Sequence, residues 1–231
     1  MTAHKAPTHV AIICDGNRRW ARQKGLAAVV GHERATELVF EPLIKRSVEL
    51  GISYLTFWVF STENWNRDPA EVSLLMQLFR KGFTEKIKLF KKNNVRLRII
   101  GDLSKFPEDI RQKVLNAVEE TKSNTQITVT FAMNYGGRDE LVRAIRRMAA
   151  DGVALDTVTE EDISTHLDTG DLPDPDLIIR TGGEQRLSGF LLWQCQYAEL
   201  FFSDQLYPDF SADDFQAAVE EYTTRQRRFG G

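Results

Sequence analysis

The sequence predicts a single α/β domain over residues 1–231, built on a mainly parallel sheet of about six strands flanked by helices. Three observations predict it. Apolar runs of strand length alternate with segments whose apolar residues recur at helical spacing, which is the pattern of βαβ units. The run Tyr54-Leu55-Thr56-Phe57-Trp58-Val59-Phe60 is apolar nearly throughout, as in strands covered on both faces. No linker rich in Gly, Ser or Pro, no repeat and no low-complexity tract divides the 231 residues, a length one large domain can fill.

The elements follow in order. Residues 10–14 read as a first strand ending at Cys14. The helix starting near His32 contains Pro42, so a kink or break is expected there. The second strand covers 54–60. Asp68 is an N-cap, Pro69 fits the first helical position and Glu71 completes a capping box. Behind them Val72, Leu75, Met76, Phe79, Phe83, Ile87 and Phe90 keep helical spacing. A third strand covers 95–100, and Pro107 opens a helix carrying Ile110, Val114, Leu115 and Val118. The fourth strand covers 127–133. A helix with Leu141, Val142, Ile145 and Met148 follows, and Gly152 stops it. The polar stretch 168–176 reads as a loop before short strands at 177–179 and 200–202. Ser211 with Asp214 caps the last helix.

Composition narrows the function. Hydrophobic residues are 42% and charged residues 27%, enough for a sizeable core. The net charge of −3 argues against a broad nucleic-acid face. No apolar run approaches the roughly 18 residues of a membrane span. The N-terminus lacks a signal-peptide core, so a cytoplasmic protein is expected. Cys14 and Cys195 show no paired spacing and read as small buried residues. The four histidines form no metal-ligand spacing.

In open parallel sheets ligands bind outside the carboxyl ends of the strands. After the first strand stands Asp15-Gly16-Asn17-Arg18-Arg19-Trp20. A carboxylate, a glycine, an amide and two guanidiniums in six residues are the parts that hold magnesium and a diphosphate together. The later strand ends carry Ser61-Thr62-Glu63-Asn64-Trp65-Asn66-Arg67, Gly101-Asp102, Asn134-Tyr135-Gly136-Gly137-Arg138, and Arg180-Thr181-Gly182-Gly183-Glu184-Gln185-Arg186-Leu187-Ser188. Arginine with hydroxyl, amide or glycine neighbours recurs at four of these five ends, which points to phosphate handling. Helix caps and surface ion pairs explain Arg138 as well, but the last cluster poorly. No P-loop, dinucleotide fingerprint or kinase signature is present. Phe57, Trp58, Val59, Phe60, Phe79 and Phe83 are either core or the wall of a channel for an apolar tail.

These segments, with Gly31-His32, Leu191-Leu192-Trp193-Gln194, Ala198-Glu199-Leu200 and Arg227-Arg228-Phe229-Gly230, resemble in order the motifs of the cis-prenyltransferases, bacterial undecaprenyl diphosphate synthases above all. The resemblance runs from about His9 to the end. It implies condensation of isopentenyl diphosphate with an allylic diphosphate into a Z-polyprenyl diphosphate, with magnesium as cofactor. By that resemblance Asp15 holds magnesium and helps the allylic diphosphate leave. The backbone of Gly16, Asn17, Arg18 and Arg19 cradles it beside Trp20, with His32 assisting. Arg180, Arg186 and Ser188 grip isopentenyl diphosphate. Glu199 is a second metal ligand, reaching the site from the far strand or from a partner subunit. Asn64, with Ser61, Trp65 and Arg67, orients the acceptor from a mobile loop and is a candidate for a part in proton removal, and Thr62 and Glu63 of the same loop bind substrate. Asn64 is a weak base, so orientation is the stronger role.

The resemblance further implies a homodimer, a C-terminal segment from Arg225 that reaches an active site, and transient contact with a membrane surface at product release. It departs at Ala28, which stands where family members commonly carry a diphosphate-gripping arginine. Arg18 stands where many bacterial members have glycine and is expected to compensate in part. Val59 and the bulky Trp58 favour a narrower channel and a shorter product. Three other readings stand beside it: a non-catalytic partner subunit, a nucleotide or sugar-phosphate enzyme on a similar sheet, and a short-chain, branching or cyclising member of the same family.

Overall fold

The computed structural model describes residues 6–154 and 156–225. Among these, six strands form one parallel sheet: β1 (His9–Ile13), β2 (Tyr54–Ser61), β3 (Val95–Ile100), β4 (Ile127–Tyr135), β5 (Leu177–Arg180) and β6 (Glu199–Phe202). Their spatial order is β3-β4-β2-β1-β5-β6. The helices are α1 (Asn17–Gln23), α2 (Ala28–Arg34), α3 (Phe40–Glu49), α4 (Pro69–Glu85), α5 (Ile87–Lys92), α6 (Glu108–Thr121), α7 (Gly137–Ala150), α8 (Glu160–His166) and α9 (Ala212–Thr224). The expected single α/β domain with a parallel sheet is the observed one.

Every residue of β1 and β5 is buried, which is why these strands read as unbroken apolar runs. One face carries the larger core, with Phe57, Leu97, Val129, Leu43, Ile110 and Phe215. On the other face Ala11, Ile13, Ala132 and Ile178 pack under Phe190 and Leu191. Trp58 belongs to this second face. Its ring stacks on Phe190 at 5.0 Å and its Nε1 donates to the Tyr135 carbonyl at 3.1 Å. Trp58 also borders the cavity described below.

The caps follow the sequence. Asp68 accepts from the Ala70 N–H at 2.8 Å, and Ser211 and Asp214 form a reciprocal capping box. Gly152 ends α7 with φ of 76°, and the Val153 N–H returns to the Met148 carbonyl at 2.9 Å. Three details differ. The helix expected near His32 begins earlier, at Ala28, and a π-helical turn at Ala35–Val39 joins α2 to α3. Pro42 lacks an N–H and its ring crowds the carbonyl four residues back, so the α-ladder widens just before it. The run expected from Val72 to Phe90 is two helices, parted at Lys86. No glycine or proline marks that break, but it turns Phe90 into the core (8% exposed). Finally, Glu71 leaves the capping box undone and turns to two arginines instead.

Candidate active site

The chain order around the sheet places the site. β1 lies between β2 and β5, so strands distant in sequence open side by side, the switch point where α/β sheets bind ligands. Ile13 at the end of β1 pairs with Arg180 at the end of β5. Asp15 and Arg180 therefore leave the sheet together, and Arg180 Nη2 donates to Asp15 Oδ2 at 2.8 Å. Arg19 Nη2 lies 3.4 Å from the other Asp15 oxygen. Arg180 is almost fully buried. Its Nη1 also donates to Ser188 Oγ at 2.8 Å and to the Arg186 carbonyl. The Asp15 backbone is pinned by Thr181, whose Oγ1 donates to the Asp15 carbonyl at 2.7 Å, and by the Tyr207 N–H at 3.0 Å.

Two glycines shape the loop. Gly16 has φ of 109°, and a side chain there would sit 2.9 Å from Leu206, so no other residue fits comfortably. Gly31 lets α2 pass against the Asn17 carbonyl. A Cβ at position 31 would lie 2.1 Å from that oxygen. Asn17 Nδ2 donates to the Cys14 carbonyl at 2.8 Å, while its Oδ1 is enclosed without a partner, as is His32 Nε2. Polar atoms enclosed without partners at a cavity await a ligand or water.

A cavity of about 880 Å³ opens in front of these groups. Its mouth is lined by Asp15, Arg18, Arg19, Arg22, His32 and Arg67. Its walls are Phe40, Ile44, Val59, Leu75, Phe79, Phe83 and Phe131, and it extends to Val95 and Gln126 at the opposite ends of the strands. Burial, helped by the nearby Arg67 and Arg18 cations, pushes the His32 imidazole down to about 3, so it is neutral here. The Cys14 thiol also lines the cavity. Burial pushes it far above the ordinary thiol range, so it is inert, although Cys14 and Cys195 are each only partly buried rather than buried as expected.

The His32 shift has a consequence for stability. An unfolded histidine protonates near pH 6.5, the folded one near 3. Between these values the unfolded chain binds the extra proton, so stability is full above about 6.5 and falls as pH drops. The loss by pH 5 is roughly 2 kcal/mol from this group. Thermal unfolding at pH 7 and pH 5 is expected to show a smaller acid loss in His32→Leu than in the wild type. An equal loss contradicts a neutral His32.

Of the residues read from the sequence, Asp15, Gly16, Asn17, Arg18, Arg19, His32, Ser61, Asn64, Arg67, Arg180 and Ser188 all line this cavity. Asn64 Oδ1 accepts the Ser61 N–H at 3.1 Å and caps the 3₁₀ turn Thr62–Asn66, which engages the very atom a base would need. Trp20, Thr62, Glu63, Trp65 and Arg186 stand outside the lining. Trp20 donates to Asp209 at 2.8 Å under the Arg34 guanidinium. Trp65 donates to Asn134 at 2.9 Å and packs on Phe60 and Phe106. Thr62 donates to the Glu63 carboxylate at 2.9 Å. The Arg186 side chain is exposed and paired with Glu184. The ends of β3 and β4 do not join the site: Asn134 Nδ2 donates to the Asp102 carbonyl at 2.7 Å, and Arg138 is exposed. Arg22 and Tyr207 line the cavity unannounced, since neither falls at a strand end.

The donors present fit magnesium. Asp15 is one-third exposed and faces the cavity, and magnesium takes one or two protein carboxylates, completing its shell with water and phosphate oxygens. Among the described residues no three His, Cys, Asp or Glu side chains gather as a metal cage. Glu199 stands apart. It begins β6 opposite Leu177, three residues before Arg180. At ~3.3 Å per residue it lies ~10 Å along the strands from the Asp15 end, two strands away. Its carboxylate meets Arg225 at 2.9 Å. Within one chain these two carboxylates do not share an ion, so the far-strand route to a second ligand is closed. The C-terminal segment 226–231, expected to reach an active site, lies outside the described residues.

Comparison with known proteins agrees with this geometry. The family model for undecaprenyl diphosphate synthases matches residues 13–230. The isoprenyl transferase of Rhizobium meliloti is 49% identical over 229 residues, covering 97% of this chain and 92% of that protein. The crystal structure of lavandulyl diphosphate synthase from Lavandula x intermedia, in complex with dimethylallyl diphosphate, superposes with a TM-score of 0.93 at 36% identity, covering 98% and 99% of the two chains. A probable undecaprenyl diphosphate synthase from Campylobacter jejuni superposes with a TM-score of 0.81 at 35% identity over 100% of both chains. An acidic group and its arginine at the head of an apolar cavity, on this fold and with these relatives, place the chain in the undecaprenyl diphosphate synthase family, as a cis-prenyltransferase.

Proposed function

We propose that this enzyme condenses isopentenyl diphosphate with an allylic prenyl diphosphate to form a Z-prenyl diphosphate. The observation that carries the reading is the Asp15–Arg180 pair, 2.8 Å apart, at the head of an apolar cavity running the length of the strands. In the reaction the C–O bond of the allylic diphosphate breaks and a C–C bond forms to the terminal alkene carbon of isopentenyl diphosphate. One proton leaves, and one diphosphate is released. Asp15 would hold magnesium, which when bound would supply positive charge opposite the departing diphosphate. Arg19, Arg18 and Arg67 take up its remaining charge, and the uncapped N–H groups at the start of α1 face it from Gly16 onward. Arg180 and Ser188, with Arg186 swinging inward, hold isopentenyl diphosphate. Asn64 orients the acceptor. The aromatic and aliphatic walls exclude water from the cationic carbon.

The remaining assignments extend this reading. The whole chain acts as one catalytic domain. Glu199 reaches a metal only from a partner subunit, in a homodimer. The half-buried Leu200, Phe201 and Phe202 of edge strand β6 suit such a contact. We place the enzyme in the cytoplasm, touching a membrane surface at product release. The retained Asp15, Asn64 and Arg180 weigh against a non-catalytic partner subunit. The cavity favours a short product. A space of roughly 150 Å³ holds one benzene, so about 880 Å³ shared with two diphosphates holds a few five-carbon units. Labelled isopentenyl diphosphate, given with magnesium and allylic primers of several lengths, is expected to enter short prenyl diphosphates. Undecaprenyl-length product contradicts the short cavity, and no incorporation with any primer contradicts the reaction.

A further inference from the structure

We infer that Glu71 is a positioning carboxylate of this site: it holds Arg18, from the first turn of α1 after β1, and Arg67, from the turn after β2, so that both guanidiniums face one phosphate group at the cavity mouth. The inference rests on the proposed reaction for the identity of that phosphate, the allylic diphosphate. Three observations carry it. Arg67 Nη1 donates to Glu71 Oε1 at 3.0 Å, and Arg18 Nε lies 3.6 Å from the same oxygen. Glu71 occupies the third position of α4, where it was free to complete the cap on Asp68, yet Asp68 is left to cap the helix alone. Both arginines line the cavity, and both lie near enough to His32 to add to the effect of its burial in keeping the imidazole neutral.

The physics of the arrangement is that two guanidiniums repel and otherwise splay into solvent. One carboxylate between them cancels that repulsion and leaves a net positive charge in fixed geometry. The burial is graded to suit. The Glu71 side chain is 12% exposed, Arg67 21% and Arg18 50%. The carboxylate is thus screened from an incoming anion while the arginine tips remain reachable. Asp15 repeats the motif on the other side of the mouth, with Arg180 and Arg19, but is itself open to the cavity. One carboxylate is placed to meet the reacting groups, the other to aim cations at them.

Two measurements test this, on the full chain. In steady-state kinetics Glu71→Gln is expected to raise KM for the allylic primer about tenfold, with kcat and KM for isopentenyl diphosphate within about twofold. In an Arg18→Gln background the same change is expected to add little, because the two residues act as a unit. An unchanged or lowered primer KM, an equal rise for both substrates, or additivity with Arg18→Gln overturns the inference. Separately, inorganic diphosphate is expected to raise the unfolding temperature of the wild type, and Glu71→Gln to lose most of that rise. This second readout needs no turnover. A wild type that elongates no primer refutes the reaction, whereas a full diphosphate response in Glu71→Gln refutes the bridging role. Arg18 is half exposed, so its variant folds and carries the test should Glu71→Gln not.

Discussion

Replacing Asp15 with asparagine is expected to cut turnover by about a thousandfold or more, since loss of several kcal/mol of transition-state stabilisation is on that scale. The fold is expected to survive. Asp15 is one-third exposed, so its ion pairs contribute only modestly to stability. Arg180, the buried member, keeps Ser188 and the Arg186 carbonyl as partners. The loop stays pinned through backbone contacts to Thr181 and Tyr207 that asparagine does not disturb. Measured kcat with a saturating primer and circular dichroism of the same preparation separate the two effects. A variant that turns over within tenfold of the wild type contradicts a role for this carboxylate in diphosphate departure.

Gly31→Ala is expected to damage both stability and activity. The added methyl would lie 2.1 Å from the Asn17 carbonyl oxygen and 2.8 Å from its carbon. Both are backbone atoms at the head of α1, which cannot swing aside as a side chain tip would. The cost is about 3 kcal/mol or more, at the upper end of overpacking changes, or roughly 6–12 °C in a chain this long. The displaced backbone belongs to Asn17, and His32 follows Gly31 directly. A shift near 1 Å at these groups lowers kcat about a hundredfold. An unfolding temperature within about 2 °C of the wild type contradicts the close approach.

This glycine shows what the sequence could and could not convey. Its neighbourhood was legible as a motif. Its reason is not local, because the atom it makes room for sits fourteen residues away. The same division runs through the molecule. Signals that depend on near neighbours came through: the apolar runs of β1 and β2, the Asp68 and Ser211 caps, and the weakening of the helix before Pro42. Asp15 stood out because carboxylate, glycine and arginines crowd six residues. What did not come through depends on strand order. Nothing local says that β5 lies beside β1, so the bond between Asp15 and Arg180 was unreadable. For the same reason the β4 end looked like part of the site, although it packs against the β3 end instead. Trp58 and Val59 both border the cavity, yet only the sheet decides that Trp58 also packs on Phe190 while Val59 joins the larger core. Glu71 satisfied the sequence rule for a capping box. Arg67, four residues before it, and Arg18 from α1 offered it stronger, charge-assisted bonds, and the Arg18 partner is one that no local cap rule can weigh.

The most direct test of the account is stoichiometric. Purified protein is given magnesium, isopentenyl diphosphate and an allylic primer, and released diphosphate is counted against isopentenyl diphosphate consumed. One diphosphate is expected to be released for each five-carbon unit added, with a cis double bond in every new unit. Diphosphate release without chain extension, or consumption of neither substrate, would contradict it.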